Sequence, residues 1–332
     1  MNDNNRIAIY DNVKFFLMVL VVVGHFVDPY VNESAGYRSI FIFIYSFHMP
    51  LFFFISGQFH RNRNILSKVI AFASIGFAQK IYFVMADVII NKHSPSFDLL
   101  SDGGIPWYMF TLAVFIVLSY VLRDFNKKFI LCAFVILALF VGYDQNVGDY
   151  LYISRIIVLY PYYVLGEMID RNKIINLSSN IKVKILSAVV VIVWLLLCVY
   201  ELNYIYDLRP LFTARHSYVS IEMYHNTGAI FRLLCYFISA IVGTAFFMIV
   251  PSKSIWSITK YGERTLQVYF LHWPLCMILM RLRFFENIGR SFVIDCIWLV
   301  VAIITSIILS FKCFGIVTDT ILKLAKNETV KK

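Results

Sequence analysis

The chain has 332 residues, a formal net charge of +10 and a mean hydropathy of +0.73; 60% of its residues are hydrophobic, 17% aromatic and 15% charged. Soluble domains average about 25% charged residues, so a soluble globular protein is excluded and a polytopic helical membrane protein fits. The basic excess reads as membrane topology rather than nucleic-acid binding, because Lys and Arg gather on the cytoplasmic side of membrane proteins.

Apolar runs of about 20 residues mark bilayer crossings. Ten are predicted, at 13–31, 39–58, 66–90, 107–122, 129–143, 153–169, 184–200, 229–250, 265–281 and 292–313. The expected fold is therefore an all-α bundle, one membrane domain over 1–332 with no appended soluble domain. The polar N-terminus MNDNNRIAIYDN is not followed by a small-residue cleavage site. The first run is thus read as a retained helix rather than a cleaved signal. With the N-terminus in the cytoplasm, nineteen Lys and Arg fall inside and seven outside, while Lys14, Lys80, Arg155 and Arg232 lie in the membrane. That bias predicts both termini inside.

Two outer loops carry distinctive residues. The segment 91–106 leads into Pro106, Trp107 and Tyr108, which suits an interfacial anchor or a re-entrant turn. The segment 201–228 holds Arg209, Arg215, His216 and Glu222 among several tyrosines. Such a mixture suits a sugar, and equally an interfacial aromatic belt. The six cysteines lie in or beside apolar runs and form no metal-ligand spacing, so no metal is expected.

Chemistry concentrates in the first run. A charge at bilayer depth costs roughly 3 kcal/mol on insertion scales, so charged residues there default to function. Lys14 and His25 are separated by about 1100° of helix, three turns plus about 20°, which puts them on one face about 16 Å apart. Asp11, three residues before Lys14, shares nearly that face and is expected to pair with the lysine. Two further histidines, His48 and His272, each stand two residues before a proline, Pro50 and Pro274. Three histidines at membrane depth predict a polar cavity inside the bundle. Histidine suits proton abstraction, because its unperturbed pKa of about 6.5 lies near working pH. Buried histidines also line proton paths, which keeps a proton-coupled transporter or glycan-precursor flippase as the rival reading.

The chain resembles the membrane acyltransferase-3 family, and within it the branch of fucose 4-O-acetylase-like and capsular or exopolysaccharide O-acetyltransferases. Asp11, Lys14 and His25 match the first-helix motif of Asp, a basic residue, ten residues and His. Lys14 stands where many members carry arginine, which removes bidentate phosphate recognition. "SFHMPLFFFISG" with His48, Pro50, Ser56 and Gly57 is similar to the second motif, and "PWYM" at Trp107 to a tryptophan motif. "SRIIVLYPYYVLGE" with Arg155, Pro161 and Gly166, and "VYFLHWPL" with Tyr269 and His272, resemble later ones.

The resemblance implies acetyl-CoA as donor and a polysaccharide or lipid-linked oligosaccharide hydroxyl as acceptor. It also implies a multi-pass protein of the bacterial inner membrane. His25 is the expected general base and His48 the second candidate. Lys14, Asp11, Arg155 and Trp107 are expected on the donor, and His272, Tyr269, Glu222 and Arg232 on the acceptor. The lipid bilayer is the expected partner, nucleic acid is not, and self-association is left open.

Overall fold

The structure is a computed structural model of the chain. It describes residues 7–92, 98, 101, 104–148, 150–221, 226–283, 285 and 289–330, with 325–330 by backbone. Glu222 lies outside the described residues. Among them the secondary structure is helical throughout, without a strand.

The helices are α1 (Ala8–Val27), α2 (Ala35–Tyr45), α3 (His48–Gln58), α4 (Ile65–Asn91), α5 (Trp107–Val121), α6 (Lys127–Val141), α7 (Ile153–Met168) and α8 (Arg171–Ser179). They continue with α9 (Ile181–Tyr200), α10 (Leu202–Tyr206), α11 (Arg209–Phe212), α12 (Gly228–Ile249), α13 (Trp256–Gly262), α14 (Thr265–Arg281), α15 (Phe292–Leu309) and α16 (Ile316–Val330). Polar caps set several starts. Ser34, Asn126, Asp170, Asn180 and Ser291 each accept a backbone N–H of the helix they precede.

A helix coincides with each predicted run. Among the described residues, six spans are long and apolar enough to cross a membrane: Ala8–Tyr30, Ala35–Gln58, Ile65–Asn91, Ile181–Tyr200, Gly228–Ile249 and Phe292–Leu309. The other four, α5, α6, α7 and α14, have 15, 15, 16 and 17 residues, about 22–26 Å each. Large apolar side chains stand exposed on the outer faces, such as Leu186 and Ile192 on α9, Phe237 on α12 and Val300 on α15. Faces of that kind need lipid rather than water, and the chain is a membrane protein.

Contacts between helix ends define two faces of the bundle. On the near face, where α1 begins, Tyr10 donates to Gln58 at the end of α3, and Asn12 donates to the carbonyls of Pro251 and Lys253 beyond α12. Lys127 at the start of α6 meets Glu167 at the end of α7 there, and Arg264 meets Ser310. On the far face, where α1 ends, Asp28 pairs with Arg209, Ser34 bonds Asp295 at the start of α15, and Ser154 bonds the Ala214 carbonyl.

Close helix approach rests on glycine where α3 meets α7. A Cβ on Gly166 would stand 2.1 Å from the Phe54 carbonyl oxygen, and one on Gly57 2.0 Å from that of Tyr163. The α3–α7 backbones therefore touch where only glycine fits.

The span Ala35–Gln58 breaks at Ser46–Phe47, between α2 and α3. Pro50 has no N–H for the Ser46 carbonyl four residues back. Ser239 of α12 donates to that carbonyl instead, at 2.5 Å, and Trp194 donates to the Ser46 hydroxyl at 2.9 Å. The break is thereby satisfied in a medium without water to do so.

Candidate active site

A cavity of about 940 Å³ runs along α1 and is lined by Lys14, Met18, Val21 and His25 of that helix and by Asp28 just past its end. From Lys14 to Asp28 is about 21 Å of axis, so the cavity extends from the near-face side of the bundle to the far-face side. Its walls come from α3, α5, α7, α14 and the α10–α11 region, with His48, Ser56, Trp107, Arg155, Tyr269 and Arg209 among them.

His25 and His272 are joined directly. His25 Nδ1 lies 2.7 Å from His272 Nε2, and the two rings are within 9° of coplanar with centroids 5.0 Å apart. Those values fit two imidazoles lying edge to edge with one N–H between them. His272 Nδ1 is 2.9 Å from the Val268 carbonyl. A carbonyl only accepts, so His272 Nδ1 carries a proton. In the neutral ring Nε2 is then the acceptor. His25 must therefore donate from Nδ1, which leaves the His25 Nε2 lone pair available on a ring that lines the cavity. His272 is fully buried and does not line the cavity; it stands behind His25.

The same logic applies to His48. The helix break turns Ile44 O toward the His48 ring, and Nδ1 donates to it at 2.8 Å. The neutral His48 Nε2 is thus also an acceptor. Tyr45 packs edge-on against His48, with centroids 4.8 Å apart. Gly24 leaves room for the Tyr45 ring beside His25, since a Cβ there would stand 3.1 Å from Tyr45 Cε2.

At the near end Lys14 pairs with Asp11 at 2.6 Å. Asp11 is buried and does not line the cavity, so Lys14 is the member of that pair that faces it. Arg155 and Trp107 form a unit, with the guanidinium carbon 4.3 Å from the ring centroid. Arg155 is the third residue of α7 and follows Ser154, which is bonded to Ala214. It therefore lies toward the far end, away from Lys14. One face of Trp107 is covered by that guanidinium.

Three described carbonyls before Trp107 meet side chains of the bundle. Lys80, near the middle of α4 and buried, donates to the carbonyls of Asp98 and Ser101 at 2.9 and 3.2 Å. The Tyr269 hydroxyl donates to the Ile105 carbonyl at 2.5 Å. Non-helical backbone at such depth needs internal partners, and a charged ammonium supplies them. The contacts of Asp98, Ser101 and Ile105 suit the inward turn, one of the two alternatives for this segment. Tyr269 lines the cavity while donating to Ile105. Arg232 is placed elsewhere: its Nη1 donates to the Leu211 carbonyl at 2.5 Å, and it borders only a separate void of about 10 Å³. A void of that size holds at most about one water.

Several lining residues were not singled out from the sequence. Tyr45 and Trp273 looked like ordinary apolar-run aromatics. Asp28 carried a signal that could have found it, being a charge one turn beyond His25, just past the end of α1. Arg209, Arg215 and His216 were noted in a loop, and only folding brings them over the cavity.

The profile of the acyltransferase-3 family, described as an acyltransferase domain, matches residues 7–314. The chain is also similar to nodulation protein NolL of Sinorhizobium fredii (strain NBRC 101917 / NGR234). Identity is 22% over 261 residues, covering 73% of this chain and 68% of NolL. No solved structure matches. The family match spans nearly every element that builds the cavity, and the chain belongs to the acyltransferase-3 family of membrane acyltransferases.

Proposed function

We propose that this acyltransferase moves an acetyl group from acetyl-CoA to a hydroxyl of a cell-surface polysaccharide or its lipid-linked precursor. The observation that carries the reading is one cavity reaching from Lys14 to Arg215 with His25 between them. A donor and an acceptor can enter such a cavity from opposite ends. The near face, with the larger share of Lys and Arg, is assigned to the bacterial cytoplasm.

Acetyl-CoA supplies an acyl carbonyl activated by a thiolate leaving group. Lys14 suits a donor phosphate as a point charge, and its pairing with Asp11 aims the side chain before the donor arrives. His25 Nε2 takes the proton of the acceptor hydroxyl as that oxygen attacks, and returns it to the departing sulfur. His272 Nε2 accepts the hydrogen bond from the His25 Nδ1–H throughout and keeps His25 in the productive tautomer. His48 Nε2 is placed to accept a second hydroxyl of the acceptor. Arg155 and the tyrosines around it orient the acceptor at the far end.

The test is acetyl-ester content of surface polysaccharide, by proton NMR, in cells lacking the gene and complemented with wild type or His25→Ala. Wild type should restore the acetyl signal, and His25→Ala at equal membrane abundance should not. Acetyl content independent of the gene would overturn the reading and bring forward the transporter.

A further inference from the structure

The far end of the cavity differs chemically from the rest of it. Asp28 lies one turn beyond His25, about 4.5 Å further along α1. Its carboxylate pairs with Arg209 Nη2 at 2.8 Å. Arg209 is held from two other sides: its Nη1 donates to the Tyr206 hydroxyl at 2.8 Å, and its guanidinium sits 4.5 Å over the Phe41 ring. Arg215 is within electrostatic reach of Asp28 as well, and Arg155 joins Asp28 and Arg209 around Tyr45. Three guanidiniums therefore converge on the cavity where it nears the far face, and Asp28 is the one carboxylate among its described lining residues. Both Arg209 and Asp28 keep about a third of their side-chain surface accessible, 35% and 37%.

Guanidinium groups present paired N–H donors matched to carboxylate and phosphate oxygens. Stacking on aromatic rings fixes the forks of Arg209 and Arg155 in advance, which lowers the ordering cost of binding. We infer that the acceptor is anionic, and that Arg209 with Arg215 grips its oxyanion within about one sugar ring of the hydroxyl presented to His25. In the resting protein Asp28 stands in for that oxyanion on Arg209. The inference rests on the acetyl-transfer reading and adds the acceptor's chemical class. The oxyanion has two sources, a uronate-type carboxylate on the glycan or the phosphate of a lipid carrier.

The experiment uses the full chain in proteoliposomes with radiolabelled acetyl-CoA. One acceptor is the producing cell's polysaccharide, freed of its esters by mild alkali, before and after reduction of its carboxylates to alcohols. The other is the lipid-extractable glycan, before and after removal of its phosphate. Loss of the relevant oxyanion should raise the acceptor KM about tenfold, the factor that corresponds to one charge-assisted contact of about 1.4 kcal/mol. The arm that responds identifies the source.

Arg209→Gln and Arg215→Gln should each raise KM for the responding acceptor. Asp28→Asn should lower it, because it removes the competing carboxylate. A merely structural Asp28–Arg209 bridge makes Asp28→Asn and Arg209→Gln act alike, and that result would overturn the inference. Equal KM for charged and neutralised acceptors would do the same while leaving acetyl transfer standing. No transfer by wild type to any acceptor would overturn the acetyl-transfer reading and this inference with it.

Discussion

Replacing His272 tests the tautomer argument directly. In the native site the His25 Nδ1–H has one acceptor, His272 Nε2 at 2.7 Å. His272→Ala leaves a buried N–H unsatisfied, which costs about 1–3 kcal/mol. The ring escapes that cost by rotating or by moving its proton to Nε2, and either change removes the lone pair from the cavity. At about 1.4 kcal/mol per factor of ten, the productive fraction falls roughly 5- to 150-fold. The loss should appear in kcat with the donor KM little changed, since His272 does not line the cavity. His272→Gln is the control, because its side-chain oxygen falls near the position of Nε2 and can accept the same proton. It should recover most of the rate. The assay is acetyl transfer in proteoliposomes, normalised to protein that stays monodisperse in detergent. If His272→Gln is as inactive as His272→Ala, His272 itself exchanges protons and the positioning argument fails. If His272→Ala keeps full activity, the His25–His272 bond has no catalytic meaning.

Other predictions follow from single contacts. His25→Ala should lower transfer by about 10²–10⁴, the range for loss of a general base, and cost about 1–3 kcal/mol of thermal stability in detergent, because His272 Nε2 loses its donor. Lys80→Met removes the donor to the Asp98 and Ser101 carbonyls, each such charged bond being worth about 1.5–3 kcal/mol. It should lower the melting temperature and the rate together, with Lys80→Arg intermediate. Gly166→Ala drives a Cβ into the Phe54 carbonyl and should destabilise by about 1–3 kcal/mol. Gly24→Ala meets side chains alone, the Tyr45 ring edge at 3.1 Å and Ile44 Cγ2 at 3.6 Å, and should cost less in the same thermal-shift series. Ser239→Ala leaves the Ser46 carbonyl freed by Pro50 without its substitute donor and should cost about 1 kcal/mol.

The sequence by itself determined the class of protein, the helical runs and the first-helix residues. Hydropathy and helical period are local properties, and they suffice to place Asp11, Lys14 and His25 along one helix. The Asp11–Lys14 pairing follows from three-residue spacing alone and is found at 2.6 Å. The two His-x-Pro elements were also visible as unusual polar sites at membrane depth. Four of the predicted runs, 107–122, 129–143, 153–169 and 265–281, were already short in the sequence, and the helices there have 15, 15, 16 and 17 residues. The segment before Trp107 read equally as an interfacial anchor or a re-entrant turn, because composition does not say how deep a loop enters.

Only the tertiary structure decided which of these residues meet. His25 and His272 are 247 positions apart, and no local pattern distinguishes an imidazole that faces substrate from one that faces another imidazole. Lys80 and Arg232 gave the same sequence signal as Arg155, a cation in an apolar run. Folding turned Lys80 to loop carbonyls, Arg232 to the Leu211 carbonyl and Arg155 to the cavity. Arg209 and Arg215 stood in a loop that suited a sugar and an interfacial belt equally, until packing brought them over Asp28 and the end of α1. A charge is informative in sequence because burying it is costly, but the partner that offsets the cost is chosen by packing between distant helices.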